Sequence, residues 1–186
     1  MSRFRVLLTG LSFAAGFVSF AHAQTYGLGK PASEREIAGW NIDVSPDGKG
    51  LPSGSGSAAS GKPLYERHCA ACHGLKGEGK PADRLAGGRG TLNTDRPVMT
   101  VGSYWPYATT LYDYINRAMP FQAPQSLSPS EVYAITAYVL FLSGIVAEAE
   151  VLDAARLPRV EMPNRRGFVP DPRPDLHNAP CRVDCR

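Results

Sequence analysis

Apolar residues with helical spacing are concentrated in three stretches, separated by long runs rich in glycine and proline. The clearest begins at Ser128-Pro129-Ser130-Glu131, a capping-box start with proline at the first helical position. Val132, Ile135, Val139 and Leu142 then recur at spacings of 3, 4 and 3, and Gly144 supplies the stop. A second helix is predicted over Tyr107–Ala118, with Leu111, Ile115 and Ala118 on one face. It ends at Met119-Pro120, because proline disfavours helical geometry in the residue before it. A third should open with Pro63 in its first turn, pass through Leu64 and Tyr65, and end at His73 before Gly74. No segment shows a convincing strand pattern, so the expected core is all-α.

The runs between and around these helices are as informative. Residues 74–103 hold seven glycines and two prolines without a sustained period, which predicts a long irregular loop. Such a loop is unusual inside a small domain unless something else gives its side chains a surface to bury against. Residues 53–61 contain only Gly, Ser and Ala and predict a flexible linker. Residues 24–52 are polar and rich in Gly and Pro, with helical pattern only around Ser33–Trp40. From Val151 onward the chain carries six prolines and seven arginines, a composition expected to lie extended on a surface or stay disordered. The chain opens with Arg3 and Arg5, a mostly apolar stretch Val6–Phe20, and Ala21-His22-Ala23, the order of an export signal cleaved before Gln24. Its fifteen residues, interrupted by glycine, serine and threonine, fall short of the roughly 20 a membrane span needs. The expected organisation is a signal peptide at 1–23, an arm and linker at 24–59, a domain at 60–157 and an extension at 158–186.

Charge narrows the function classes. The formal charge is +3, and loss of Arg3 and Arg5 on cleavage would leave +1, without the basic footprint that nucleic-acid binding requires. Export places the four cysteines in an oxidising compartment such as the periplasm, where a pair with no other role forms a disulfide. Cys181 and Cys185 are spaced for a local disulfide.

Cys69 and Cys72 have another role. Cys69-Ala70-Ala71-Cys72-His73 is the attachment signature of c-type haem. On a helix the three chemical residues share a face, so two thiols can bond the porphyrin while the imidazole reaches its iron. From this chain's own composition a chance match is expected about two times in a thousand. A zinc site would need further Cys or His nearby, and a thioredoxin-type pair would need a βαβ setting. The haem also accounts for the long loop, whose side chains can bury themselves against the ring. Candidates for the second axial ligand are His68, His177, Met99, Met119 and Met162. His68 is expected to point away from the haem face, and His177 and Met162 lie in the tail. Met119 leads: it closes a helix, Pro120 fixes an extended turn there, and 46 residues separate it from His73. Met99, in the glycine-rich loop, is the competitor. Tyr104, Trp105, Tyr107 and Tyr112 could shield the ring, and Arg89 and Arg117 could meet the propionates.

Longer stretches carry more specific information: Gly39-Trp40-Asn41-Ile42-Asp43-Val44, Tyr104-Trp105-Pro106-Tyr107-Ala108-Thr109-Thr110, Asp113–Pro120, Glu131–Tyr138 and Met162-Pro163-Asn164-Arg165. Together they resemble the cytochrome subunit of Sox-type sulfane dehydrogenases, the SoxD-like group. The resemblance implies a class I cytochrome c-like domain around one covalent haem c, with Met119 as axial ligand. It also implies a molybdenum-cofactor partner of the SoxC type, similar to sulfite oxidase, which oxidises sulfane sulfur or sulfite and passes on the electrons. A further cytochrome c is then a natural downstream acceptor. The loop Pro81–Gly88 departs from the family pattern in its proline placement, so no proline carbonyl is assigned to orient the axial histidine. On this reading the chain is an electron-transfer subunit and not an enzyme by itself. The alternatives are a freely diffusing carrier and a haem enzyme such as a peroxidase, which would need an open axial site.

Overall fold

A computed structural model describes residues 27–172. The export segment, His177, Cys181 and Cys185 therefore lie outside the described residues. Among the described residues, those up to Ser33 belong to one unit, and those from Glu34 onward to another. In chain order this unit contains α1 (Glu34–Trp40), β1 (Ser55–Ser57), α2 (Ala58–His68), α3 (Ala70–His73), α4 (Ala108–Ala118), α5 (Pro129–Leu142) and β2 (Val151–Asp153). A short 3-10 turn, Leu157–Arg159, follows. Among the described residues no helix is long and apolar enough to cross a membrane.

α5 forms where its capping signals require. Ser128 Oγ accepts from the Glu131 amide while the Glu131 carboxylate accepts from the Ser128 amide at 2.8 Å. At the other end Gly144, at φ +66°, donates to Phe141 O and Ile145 donates to Leu140 O, the paired bonds of a Schellman motif. The spacing of its apolar residues predicted one buried stripe, yet every residue from Val132 to Leu140 is buried. α5 is the central helix, packed by α2, β1, α4 and β2, so it has no solvent face over that length. α4 matches its predicted span and buries Leu111, Tyr112 and Ile115.

The expected flexible linker is corrected by the structure. Residues 55–57 are strand β1, paired antiparallel with β2 so that Gly56 faces Leu152, and residues 58–61 are the first turn of α2. Ser57 caps α2 in a box completed by Ser60, which starts the helix earlier than Pro63 and places that proline inside it. The Gly, Ser and Ala composition serves close packing. A Cβ at Gly56 or Gly61 would collide with the α5 backbone at Ala134. Small side chains here let β1 and α2 approach α5 at backbone distance. The two three-residue strands add a small sheet to an otherwise all-α fold.

Both flanks of the domain are also docked. In the arm, the Val44 amide donates to Asp113 Oδ1 at 2.9 Å, Thr109 donates to Pro46 O, and Tyr133 donates to Pro52 O. Arg117 bridges Asp113 and Asp43 at 2.8 and 2.7 Å. In the tail, Leu157, Val160 and Met162 are buried in the core, so the extension is packed rather than loose up to that point. α1 behaves differently, with Ile37 and Trp40 exposed.

Candidate haem site

The helix predicted to run unbroken through the Cys-x-x-Cys-His motif is interrupted at Cys69, whose φ of −125° ends α2 and opens the single turn α3. Backbone bonds across the break keep the motif compact. Cys69 N donates to Tyr65 O at 2.8 Å, and His73 N donates to Cys69 O at 2.9 Å. Gly74, at φ +80°, turns the chain out of α3, and a Cβ there would strike the Glu78 carboxylate. Tyr65, fully buried, donates its hydroxyl to Gly74 O at 2.9 Å and so ties α2 to this exit.

The loop after the motif folds back onto it. Gly79 N donates to His73 O at 2.8 Å and Ala82 N donates to Cys72 O at 2.9 Å. This places the Asp83 carbonyl 2.7 Å from His73 Nδ1. A carbonyl can only accept, so Nδ1 carries the proton and Nε2 keeps its lone pair for a metal. The orienting carbonyl is therefore that of Asp83. Side-chain patterning had no means of finding it, because a backbone oxygen has no residue signature.

Cys69, Cys72 and His73 line one cavity of about 420 Å³, and Met119 reaches the same cavity from the end of α4. Its walls are mainly apolar, including Leu85, Val101, Leu111, Ile135 and Val139. That size falls within the range of cofactor sites. Met119 has extended backbone (φ −123°, ψ 146°) and is partly buried against the core. Met99 also lines the cavity but is 62% exposed. Met162 is a core residue outside the lining. Both motif thiols are free. Burial, with a smaller contribution from neighbouring Cys72, pushes the Cys69 thiol up to about 11.

Several expectations for the surroundings change. His68 lines the cavity, because the break at Cys69 separates its helix from the motif turn. Of the four aromatics expected at the ring, Trp105 alone lines the cavity, joined there by Tyr114 in an edge-on contact at 5.8 Å. Tyr112 instead stacks on Tyr133 in the core at 4.5 Å, while Tyr104 and Tyr107 face the tail through Phe168 and Arg165. Neither Arg89 nor Arg117 lines the cavity: Arg117 is engaged by Asp43 and Asp113, and the arginine at the cavity is Arg84.

The donor set fits a c-type haem. Two thiols and an imidazole with a free Nε2 come from one chain segment, a thioether comes from another, and apolar walls stand between them. Comparisons with known proteins agree. Residues 58–143 match the cytochrome c family model. A search of curated proteins finds no match. Among solved structures, the chain is similar to one in the crystal structure of the sulfane dehydrogenase SoxCD from Paracoccus pantotrophus, at 45% identity and a TM-score of 0.75. The similarity covers 87% of this chain and 83% of that one. With this identity over nearly the full length, and with a cytochrome c domain whose cofactor is haem c, the chain belongs to the SoxD-like cytochrome c subunits.

Proposed function

We propose that this chain is the haem subunit of a periplasmic dehydrogenase, accepting electrons from a SoxC-like molybdenum subunit that oxidises sulfane sulfur or sulfite. The convergence of Cys69, Cys72, His73 and Met119 on one apolar cavity carries the reading. The Cys69 and Cys72 thiols would hold the haem covalently, and His73 Nε2 and the Met119 sulfur would hold its iron. The haem, when bound, supplies a one-electron iron couple. The chain's own residues decide how that couple is used. The Asp83 carbonyl fixes the His73 ring and keeps Nδ1 protonated. The α4 C-terminus delivers Met119, and a thioether ligand in an apolar pocket favours the reduced state and a raised potential. With His73 and Met119 both holding the iron, the arrangement would suit outer-sphere electron transfer and would disfavour peroxidase chemistry.

The partner is supported by the similarity to a chain of SoxCD, a dehydrogenase named for two components. An export signal at 1–23, cleaved before Gln24, would place the complex in the periplasm, where a further cytochrome c would take the electrons onward. Two measurements test this. Met119→Ala should abolish the methionine sulfur-to-iron charge-transfer band of the oxidised protein, and persistence of the band would move the ligand to Met99 or elsewhere. Native purification should bring down a molybdenum-containing subunit in a fixed ratio, and a lone monomer in native extract would favour the diffusing carrier.

A further inference from the structure

The tail residues 162–168 do more than cover the surface. Met162 is 1% exposed and anchors the segment in the core. Arg165 N donates to Met162 O and Gly167 N donates to Asn164 O, which fold the segment into successive tight turns. Gly167 leaves room for the Asn164 side chain, since a Cβ there would collide with Asn164 Oδ1. The turn aims the Asn164 amide at the chain before α4, where Nδ2 donates to the Tyr104 carbonyl at 2.7 Å. On either side of that bond, Phe168 meets the Tyr104 ring edge-on at 5.2 Å and Arg165 lies over the Tyr107 ring at 4.5 Å.

The target of that hydrogen bond matters. The Tyr104 carbonyl belongs to the rigid peptide plane that also contains the Trp105 nitrogen and Cα. The Tyr104 amide, at the other end of the residue, is already held by Thr100 O at 2.9 Å. Pinning both ends of Tyr104 fixes the direction in which the next residue leaves the backbone. That residue is Trp105, the indole that lines the haem cavity beside Tyr114.

We propose that Asn164, supported by Phe168 and Arg165, is a positioning residue that holds Trp105 against the haem and closes that wall of the crevice. This rests on the reading of the cavity as the haem site. Without the brace, the 104–107 segment can swing outward and Trp105 leaves the wall. Water and small ligands then reach the iron more easily, and a wetter site stabilises the oxidised, more highly charged state. The reduction potential therefore falls.

The test uses the full-length, haem-loaded protein, with imidazole as the probe of access to the ferric iron. Asn164→Ala should raise apparent imidazole affinity roughly fivefold, the factor that corresponds to one ordinary hydrogen bond. It should also lower the midpoint potential. Trp105→Leu should produce the same opening, and adding Asn164→Ala to it should change imidazole binding no further, because the two act through one wall. Phe168→Ala, at an exposed ring, is a second variant that loosens the same segment with little risk to folding. Unchanged imidazole affinity and potential in both tail variants, with only a lower melting temperature, would overturn the proposal. So would full additivity between Asn164→Ala and Trp105→Leu. The Met119 assignment is judged separately, from the charge-transfer band of the unmodified protein, so its failure leaves the imidazole comparison readable.

Discussion

On one side of the cavity, α5 meets α2 and β1 at backbone contact, with glycines at 56 and 61 set against Ala134. Tyr65, Tyr133, Ile135 and Leu140 are fully buried on that side. On the other side, the loop 74–103 contributes only Ala86 and Val101 to the buried apolar residues among those described. Its order comes from backbone bonds to the motif, such as Gly79 to His73 and Ala82 to Cys72. The first side buries most of its apolar surface within the protein, with Tyr65, Ile135 and Val139 also reaching the cavity wall. The second folds around a cavity, and its partly exposed Leu85 and Met99 face that space. One half of the domain is thus held by packing, and the other depends on what the cavity holds.

Removing the haem should break the second half first and produce the largest effect. In a Cys69→Ala/Cys72→Ala protein, amides of residues 77–86 should lose hydrogen-exchange protection and approach the rates of an unstructured peptide. The α5 amides should keep more protection, since their burial does not require the haem alone. Equal loss in both regions, read by exchange and mass spectrometry, would erase the distinction between the two halves.

Gly61→Val strikes the packed half instead. A branched side chain at the α2–α5 contact has no space at Ala134 and must push the helices apart, costing about 3 kcal/mol. Thermal melting of the haem-loaded variant checks this. The charge-transfer band should persist in whatever fraction remains folded, because Gly61 does not line the cavity.

The same division explains what the sequence revealed. α4, α5 and the haem motif were legible because their signals are local: a capping box at Ser128, a stop at Met119-Pro120, and three chemical residues within five positions. The all-α class and the long loop followed from the same patterns. Residues 53–61 misled because the composition of a flexible linker is also that of a close contact, and only the position of Ala134 decides between them. The break at Cys69 was hidden for a similar reason, since nothing in its neighbours signals a change of helix. The Asp83 carbonyl and the inward turn of Trp105 depend on contacts made by residues distant in sequence. The tail motif at Met162–Arg165 was visible, but its target at Tyr104 lies 60 residues away.

A smaller effect tests which half Cys69 belongs to. Its thiol serves the cavity, yet its backbone is held by α2, and burial is the main cause that pushes the thiol up to about 11, with Cys72 adding to it. In the haem-free chain, mass-spectrometric mapping of alkylation against pH should give a midpoint for Cys69 well above the ordinary thiol value of 9.0. The sign for stability follows. The neutral thiol is favoured in the folded state, so this contribution is complete below pH 9 and is lost as pH rises through 11. An ordinary midpoint would show that the end of α2 loosens together with the loop when haem is absent.

The smallest effect concerns the N-terminus of α5, where local capping adds to a helix already buried on all sides. Ser128→Ala removes the hydroxyl that accepts from the Glu131 amide and donates to its carboxylate at 2.8 Å, and should cost about 1 kcal/mol at neutral pH. The Ser128 backbone amide, and then its hydroxyl, hold the Glu131 carboxyl below its ordinary value of 4.5. Stability from this charge-assisted pair is therefore present above pH 4.5 and is lost as pH falls through the lowered value. The penalty of Ser128→Ala should accordingly shrink in acid, because protonated Glu131 no longer rewards the hydroxyl. Denaturant melts of both proteins at pH 7 and near pH 3 measure this difference. A penalty that stays constant would mean that the serine acts through the helix amide alone, and that packing leaves the carboxylate no share in holding α5.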